Sequence, residues 1–315
     1  MVKLLLVSGF ACWMITAVPS MMFVAAIIWG VSLVLSAYYL DVTRLFLLFA
    51  TNILLLYFLS SNGMGFAPAL MYGMPFLVMG VLVNKGRDYY ELQKWGVLTA
   101  LISVVLLMLI TYLSVGQEIL LSIDQQVETY VEESIEISKE SGIIGFYEER
   151  GISLEEVEES VRAMSHTFVR YLPAFYILQA IAAIYLVLLL SAYIARKRQL
   201  PILAKKPFKD EIMPWQLAWV VIAGLGLWLW GRNEMSTIYY LGGNILAVVF
   251  PITVYFGTAE ISYRISRFKP GHRKWAIMFV VFLTLVFSIS ALVFVGLLGL
   301  FDSLLDYRKQ RKKEV

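Results

Sequence analysis

Residues 4–40 contain no charged side chain. One membrane crossing takes about 20 apolar residues, so this run is too long for a single helix, and Pro19-Ser20 is its natural break. Two helices follow, over 4–18 and 21–40. Further runs of crossing length lie at 45–61, 66–84, 95–115, 172–195, 215–231, 236–260 and 275–301. The expected fold is all-α, a polytopic transmembrane helical bundle of about eight or nine membrane segments with an extracytoplasmic helical hairpin. With 60% hydrophobic and 16% charged residues among 315, the chain departs from soluble composition in both respects.

The first twenty residues look like a signal peptide, with Lys3 before an apolar core. Gly9-Phe10-Ala11-Cys12 is a poor lipobox, no small-x-small cleavage site follows, and the apolar run resumes at Met21. An uncleaved membrane helix is the better reading. Cys12 is the single cysteine, so no internal disulfide can form and a thiolate metal site is not expected.

Charge is sorted by loop. Residues 117–166 carry thirteen carboxylates, from Glu118 to Glu159, against Lys139, Arg150 and Arg162. The loop 196–211 reverses this, with Arg196, Lys197, Arg198, Lys205, Lys206 and Lys209 against Asp210 and Glu211. Cytoplasmic loops collect Lys and Arg, so the segment between the two separates outside from inside. Lys85, Arg87 and Lys94, and later Arg264, Arg267, Lys269, Arg273 and Lys274, mark further inside loops. The expected location is the bacterial inner membrane, with the amino terminus cytoplasmic. A net charge of +3, sorted this way, speaks for membrane orientation and against nucleic-acid binding.

Three parts are expected: amino-terminal helices over 1–116, the acidic hairpin over 117–166, and carboxy-terminal helices over 167–315. In the hairpin, Leu120, Ile123, Val127, Tyr130 and Ile137, with Ser134 in the gap, recur at helical spacing, and so do Leu154, Val157, Val161, Met164 and Phe168. Ser153 and Glu156 form a capping-box pattern for the second helix. Pro173 predicts a kink near the membrane surface. The hairpin reads as a solvated stalk, with a partner-binding arm as the alternative.

The last run, 275–301, is long enough for one crossing, which would place Arg308, Lys309, Arg311, Lys312 and Lys313 outside. A re-entrant or broken helix near Ser288–Ser290 would return this basic tail to the cytoplasm, and that is the expectation.

No Asp, Glu, Lys, Arg or His is expected at bilayer depth, which disfavours a proton-driven carrier. His166 and His272 have no partner at ligand spacing and read as surface histidines. The neutral amides Asn52, Gln179, Gln216 and Asn244 must find partners in hydrocarbon. They are either glue between helices or the lining of a pocket for a neutral or zwitterionic small molecule. Asn244 is the foremost of them, because Gly242-Gly243 can open its helix and Pro251 removes a backbone bond. Gly65, Ala69 and Gly73, and Ala26 with Gly30, form small-residue stripes for internal packing or for docking another membrane subunit. No phosphate loop, nucleophile-base pair or metal motif is present, so neither an enzyme nor a cofactor is expected.

Several stretches resemble the YybS-like family of bacterial inner-membrane proteins of unknown function: Lys206-Pro207-Phe208, Met213-Pro214-Trp215-Gln216-Leu217-Ala218-Trp219, Phe256-Gly257-Thr258-Ala259-Glu260, and the closing run Gly299-Leu300-Phe301-Asp302-Ser303-Leu304-Leu305-Asp306-Tyr307-Arg308. The amino-terminal half matches in hydropathy only, and the hairpin looks like an elaboration. The family is distantly similar to the substrate-binding S components of energy-coupling-factor transporters. That similarity implies a binding or permease-like subunit dependent on a partner membrane subunit and a cytoplasmic ATPase. Asp302 and Asp306 share a helix face near Arg308 and read as a structural interfacial cluster. The competing expectation is a non-transporting scaffold that presents its hairpin and basic loops to proteins.

Overall fold

The computed structural model describes residues 2–60, 66–115, 118–142, 147, 150–200, 203–233 and 236–305. The described residues form helices and no strand. Seven helices among them are long and apolar enough to cross a membrane, and two shorter apolar ones stand beside these. The chain divides into two compact units, Met1–Ala204 and Lys205–Val315. This grouping differs from the three expected parts: the hairpin and the crossing after it belong with the amino-terminal helices.

The first unit opens with α1 (Val2–Ala17), a 3-10 turn at Pro19–Met21 and α2 (Met22–Ser36). Proline at the turn's first position fixes φ and cannot continue the ladder of α1, so the expected break falls there. Next come α3 (Val42–Leu59), capped by the Asp41 carboxylate on Arg44 N, a π turn at Ala69–Gly73, α4 (Met74–Asn84) and α5 (Tyr89–Val115). After the hairpin, α8 (Leu172–Lys197) returns to pack on α2 and α5. The core gathers on α2, where Trp29 stacks on Phe49 and meets Phe76 edge-on. Asn84 donates to Ala37 O and Leu40 O at 3.2 and 2.6 Å. It thereby supplies partners for carbonyls left open beyond the end of α2.

The hairpin pairs α6 (Glu118–Glu140) with α7 (Leu154–Arg170). The capping box of Ser153 and Glu156 is present. The buried face is Val127, Val131 and Ile135 against Leu154, Val161 and Val169. This corrects the expected stripes, because Tyr130, Ile137, Met164 and Phe168 are 67%, 65%, 73% and 51% exposed; Leu120 and Ile123 lie outside the described side chains. At about 100° per residue, both seams start from Val127 but drift apart. The seam that forms lets the hairpin's scarce cations meet facing carboxylates, Arg162–Glu128 at 3.3 Å and Lys139–Glu158 at 3.8 Å, and sets His166 Nε2 3.7 Å from Glu128. In an antiparallel pair these groups all fall on one flank, and Tyr130, Ile137, Met164 and Phe168 share the other. The chain breaks at Tyr171, just before Pro173, as the proline predicts.

The second unit contains a 3-10 turn at Phe208–Asp210, α9 (Trp215–Trp230), α10 (Thr237–Ser266) and α11 (Pro270–Leu305). A Cβ at Gly242 would collide with Trp228 N and Gly224 O, so α9 and α10 touch backbone to backbone. Gly257 meets Val295 O, and Gly299 meets Thr253 O, in the same way. Lipid tails are as apolar as leucine, so close approach at small residues must hold such helices together.

α11 breaks at Ser288, φ 24° and ψ −94°, at the expected place. Arg273 reaches Ser266 before the break, and Val295 and Gly299 meet Gly257 and Thr253 after it. Nine residues of α10 thus span the same contacts as 22 of α11, so the two helices do not run side by side throughout and the break carries a sharp change of direction.

The glycine contacts make a direct test. Gly257→Ala is expected to cost on the order of 1–3 kcal/mol through overpacking, read as a lower unfolding temperature in detergent. Gly226→Ala, where nothing lies within 4 Å of the added carbon, should leave that temperature unchanged or slightly higher.

Candidate functional site

Asn52 and Gln179 belong to the first unit, and Gln216 and Asn244 to the second. Gln216 is exposed on the first turn of α9. Asn244 is half-buried and donates to Tyr240 O, one turn back in its own helix, at 2.8 Å. Its glycines do not open the helix: Gly242 is spent on the contact with α9, and α10 runs unbroken past Pro251. The helix opening expected at Gly242-Gly243 is thus a helix crossing.

Asn52 is different. It is 1% exposed, and Ser8 Oγ lies 3.3 Å from its Oδ1, while its Nδ2 has no hydrogen-bond partner. Ser8 Oγ also lies 3.0 Å from Leu5 O, and one hydroxyl proton serves only one acceptor. With the amide turned over, Nδ2 would donate to Ser8 Oγ and Oδ1 would be left. Either orientation keeps one amide atom unspent inside the protein, a costly arrangement.

Two more polar atoms stand in the same core. Trp29 Nε1 is buried without a partner. The Tyr72 hydroxyl approaches Gln179 without a well-formed hydrogen bond. Tyr72 stacks on Phe76, which abuts Trp29, which stacks on Phe49 one turn from Asn52. Tyr72 also lies within the π turn, and single π turns recur at functional sites. The region is an aromatic core with spare donors. Sequence reasoning found Asn52 and Gln179 but missed Trp29 and Tyr72, because a lone Trp or Tyr in an apolar run gives no sign of which way its polar tip points.

Among the small residues, Gly30 packs against Val187 and Phe76, and Gly73 against Trp29 and Phe49. Ala26 and Ala69 are buried. These serve packing within the first unit; Gly65 lies outside the described residues.

The second unit holds buried acids that hydropathy did not single out. Lys205 Nζ lies 3.3 Å from Glu211 Oε1 and 3.3 Å from Tyr255 Oη, and Tyr255 donates to Glu211 Oε2. Phe208 meets the Tyr255 ring edge-on. Together they pin the loop 205–211 to α10. Glu260 is buried and takes the Arg264 guanidinium at 2.7 Å; α10 continues past the expected end at 260 to bring this pair into its last two turns. Asp302, from the expected structural interfacial cluster, is buried as well. Asp306 and Arg308 lie outside the described residues.

A family described as "Predicted membrane protein (DUF2232)" matches residues 6–303. The chain belongs to this family. The match runs through both units and across the stretch that holds the hairpin, so the family likeness is not confined to the carboxy-terminal half. With its apolar helices, this family member is a multi-pass membrane protein. No curated protein and no solved structure matches it.

The Lys205–Glu211–Tyr255 cluster yields a clear expectation. Glu211→Ala strands a mostly buried lysine, a loss on the order of 3 kcal/mol, seen as lowered thermal stability and faster proteolysis within 203–214. Glu211→Gln keeps an acceptor for Tyr255 and should lose less.

Proposed function

We propose that this protein is a substrate-binding or permease-like subunit for small-molecule uptake in the bacterial inner membrane, and that its ligand binds in the first unit. The observation that carries this reading is the set of unspent polar atoms on Asn52, Trp29 and Tyr72, gathered around one aromatic core. Buried polar groups are almost always satisfied in native proteins, and a small polar molecule would satisfy these. Trp29 Nε1 can only donate, so the ligand must offer acceptors such as a carbonyl, ring nitrogen or carboxylate. The resemblance to the YybS-like family, and through it to S components, supports the same class. It adds a partner membrane subunit and a cytoplasmic ATPase as the source of energy. The reading is of a binding subunit and not of an enzyme.

In this reading the amino terminus and basic loops face the cytoplasm and residues 117–166 face outward. A cytoplasmic carboxy terminus is supported by the basic cluster and by the break of α11 at Ser288.

Asn52→Leu separates ligand binding from helix glue. Protein purified gently from its own membrane should carry a stoichiometric small molecule in native mass spectrometry, and the variant should lose it with unfolding temperature unchanged or raised, because an orphaned buried amide is removed. No ligand on the parent protein, together with a destabilised variant, would assign Asn52 to packing.

One observation favours the scaffold reading as well: the exposed apolar flank of the hairpin, Tyr130, Ile137, Met164 and Phe168. Replacing Tyr130 and Met164 by Ser should abolish co-purification of an outer protein partner if the hairpin is a docking arm. If the protein transports, uptake should survive the same change.

A further inference from the structure

At the basic end of α10 a groove of about 560 Å³ opens between the loop 207–209, α10 and the start of α11. Lys209 and Arg273 line it together with Ser262 and Ser266, and Ile265 and Ile277 form apolar walls. The turn that carries Lys209 is held over the groove by the contacts of Phe208 and Glu211 with Tyr255. Arg273 donates to Ser266 O at 2.7 Å, which fixes the guanidinium at the groove while four of its five N–H donors remain. The surrounding charge is one-sided. Lys205, Lys206 and Lys209 stand against Asp210 and Glu211, and Arg264, Arg267, Lys269, Arg273 and Lys274 against Glu260 alone. Glu211 and Glu260 are already engaged inside the fold by Lys205 and Arg264, so the surplus is cationic.

Ile261 also lines a second groove, of about 270 Å³, walled otherwise by α11. Its walls are almost wholly apolar, with Leu283 and Phe287 before the Ser288 break and Ala291 and Phe294 after it. The bend of α11 therefore shapes an apolar slot that adjoins the cationic groove at Ile261. A polar anion-attracting end joined to a hydrocarbon-lined tail is the outline of one phospholipid.

We infer that these adjoining grooves form a binding site for an anionic phospholipid. Its phosphate sits between Lys209 and Arg273, and one acyl chain lies along Leu283, Phe287 and Ala291. A soluble phosphate would use only the mouth, and a zwitterionic lipid would gain little from the cations. Each basic residue near an anionic lipid surface contributes enough for several-fold in affinity.

The full-length protein, purified in detergent, is incubated with equal amounts of dioleoylphosphatidylglycerol and dioleoylphosphatidylcholine and examined by native mass spectrometry. The protein should retain one phosphatidylglycerol in preference to phosphatidylcholine by about tenfold or more, two cations acting together. The K209Q/R273Q double variant should lose that preference. Ala291→Phe, which fills the slot and leaves both cations, should lower retention of phosphatidylglycerol. Excess inorganic phosphate should not displace the lipid. Equal retention of the two lipids by the parent protein overturns the proposal, as does an unchanged preference in the double variant. Displacement by phosphate overturns it in favour of a soluble anion. Should a variant fail to fold, the parent protein alone decides: phosphatidylglycerol must raise its unfolding temperature more than phosphatidylcholine does, and an equal effect counts against the site.

Discussion

Helices surrounded by lipid gain nothing from burying apolar surface against one another, so this protein is held together where backbones come close enough to touch. In the second unit that happens where Gly242 of α10 meets α9, and at Gly257 and Gly299 between α10 and α11. In the first unit Gly30 and Gly73 instead leave room for side chains, Val187 and Phe76 at one and Trp29 and Phe49 at the other. The positions of all other groups follow from these crossings. Trp29 stacks on Phe49 because Gly73 leaves room for its ring, and the slot beside Ser288 exists because α11 is clamped to α10 on both sides of its bend.

Polar groups divide into those that secure the frame and those left over. Asn84, Glu211 and Glu260 are engaged within the chain: one amide on two carbonyls, two carboxylates beside cations. Asn52 and Trp29 each keep a polar atom without a partner. Buried polar atoms without a partner are few in native proteins and each calls for an explanation; the proposal of a ligand in the first unit is one such explanation for Asn52 and Trp29.

Part of this was legible in the sequence. Pro19 and Pro173 ended helices where a fixed φ and a missing N–H require it, Ser153 and Glu156 capped the second hairpin helix, and Ser288 marked a break in the last apolar run. The hairpin seam was misread by one flank, because Val127 belongs to two possible stripes and only the pairing of Arg162 and Lys139 with acids on the facing helix selects between them. Gly242-Gly243 beside Asn244 suggested an opened helix and proved to be a contact surface, since a glycine signals close approach without saying what approaches. Asn52 was found as a buried amide, but nothing local distinguished it from Asn244, which satisfies itself on Tyr240.

The amino-acid sequence by itself determined that this chain is a set of membrane helices, where most of them start and stop, and how charge is sorted among the loops. These are properties of single segments, set by length, apolarity and the chemistry of proline and caps. Only the tertiary structure decided which face of each helix turns inward, which glycines meet a neighbour, and which polar atoms are left without a partner. The reason is the solvent. In water a buried face is apolar and an exposed one polar, so periodicity betrays the inside. In lipid both faces are apolar, and the inward face is fixed by which helices meet.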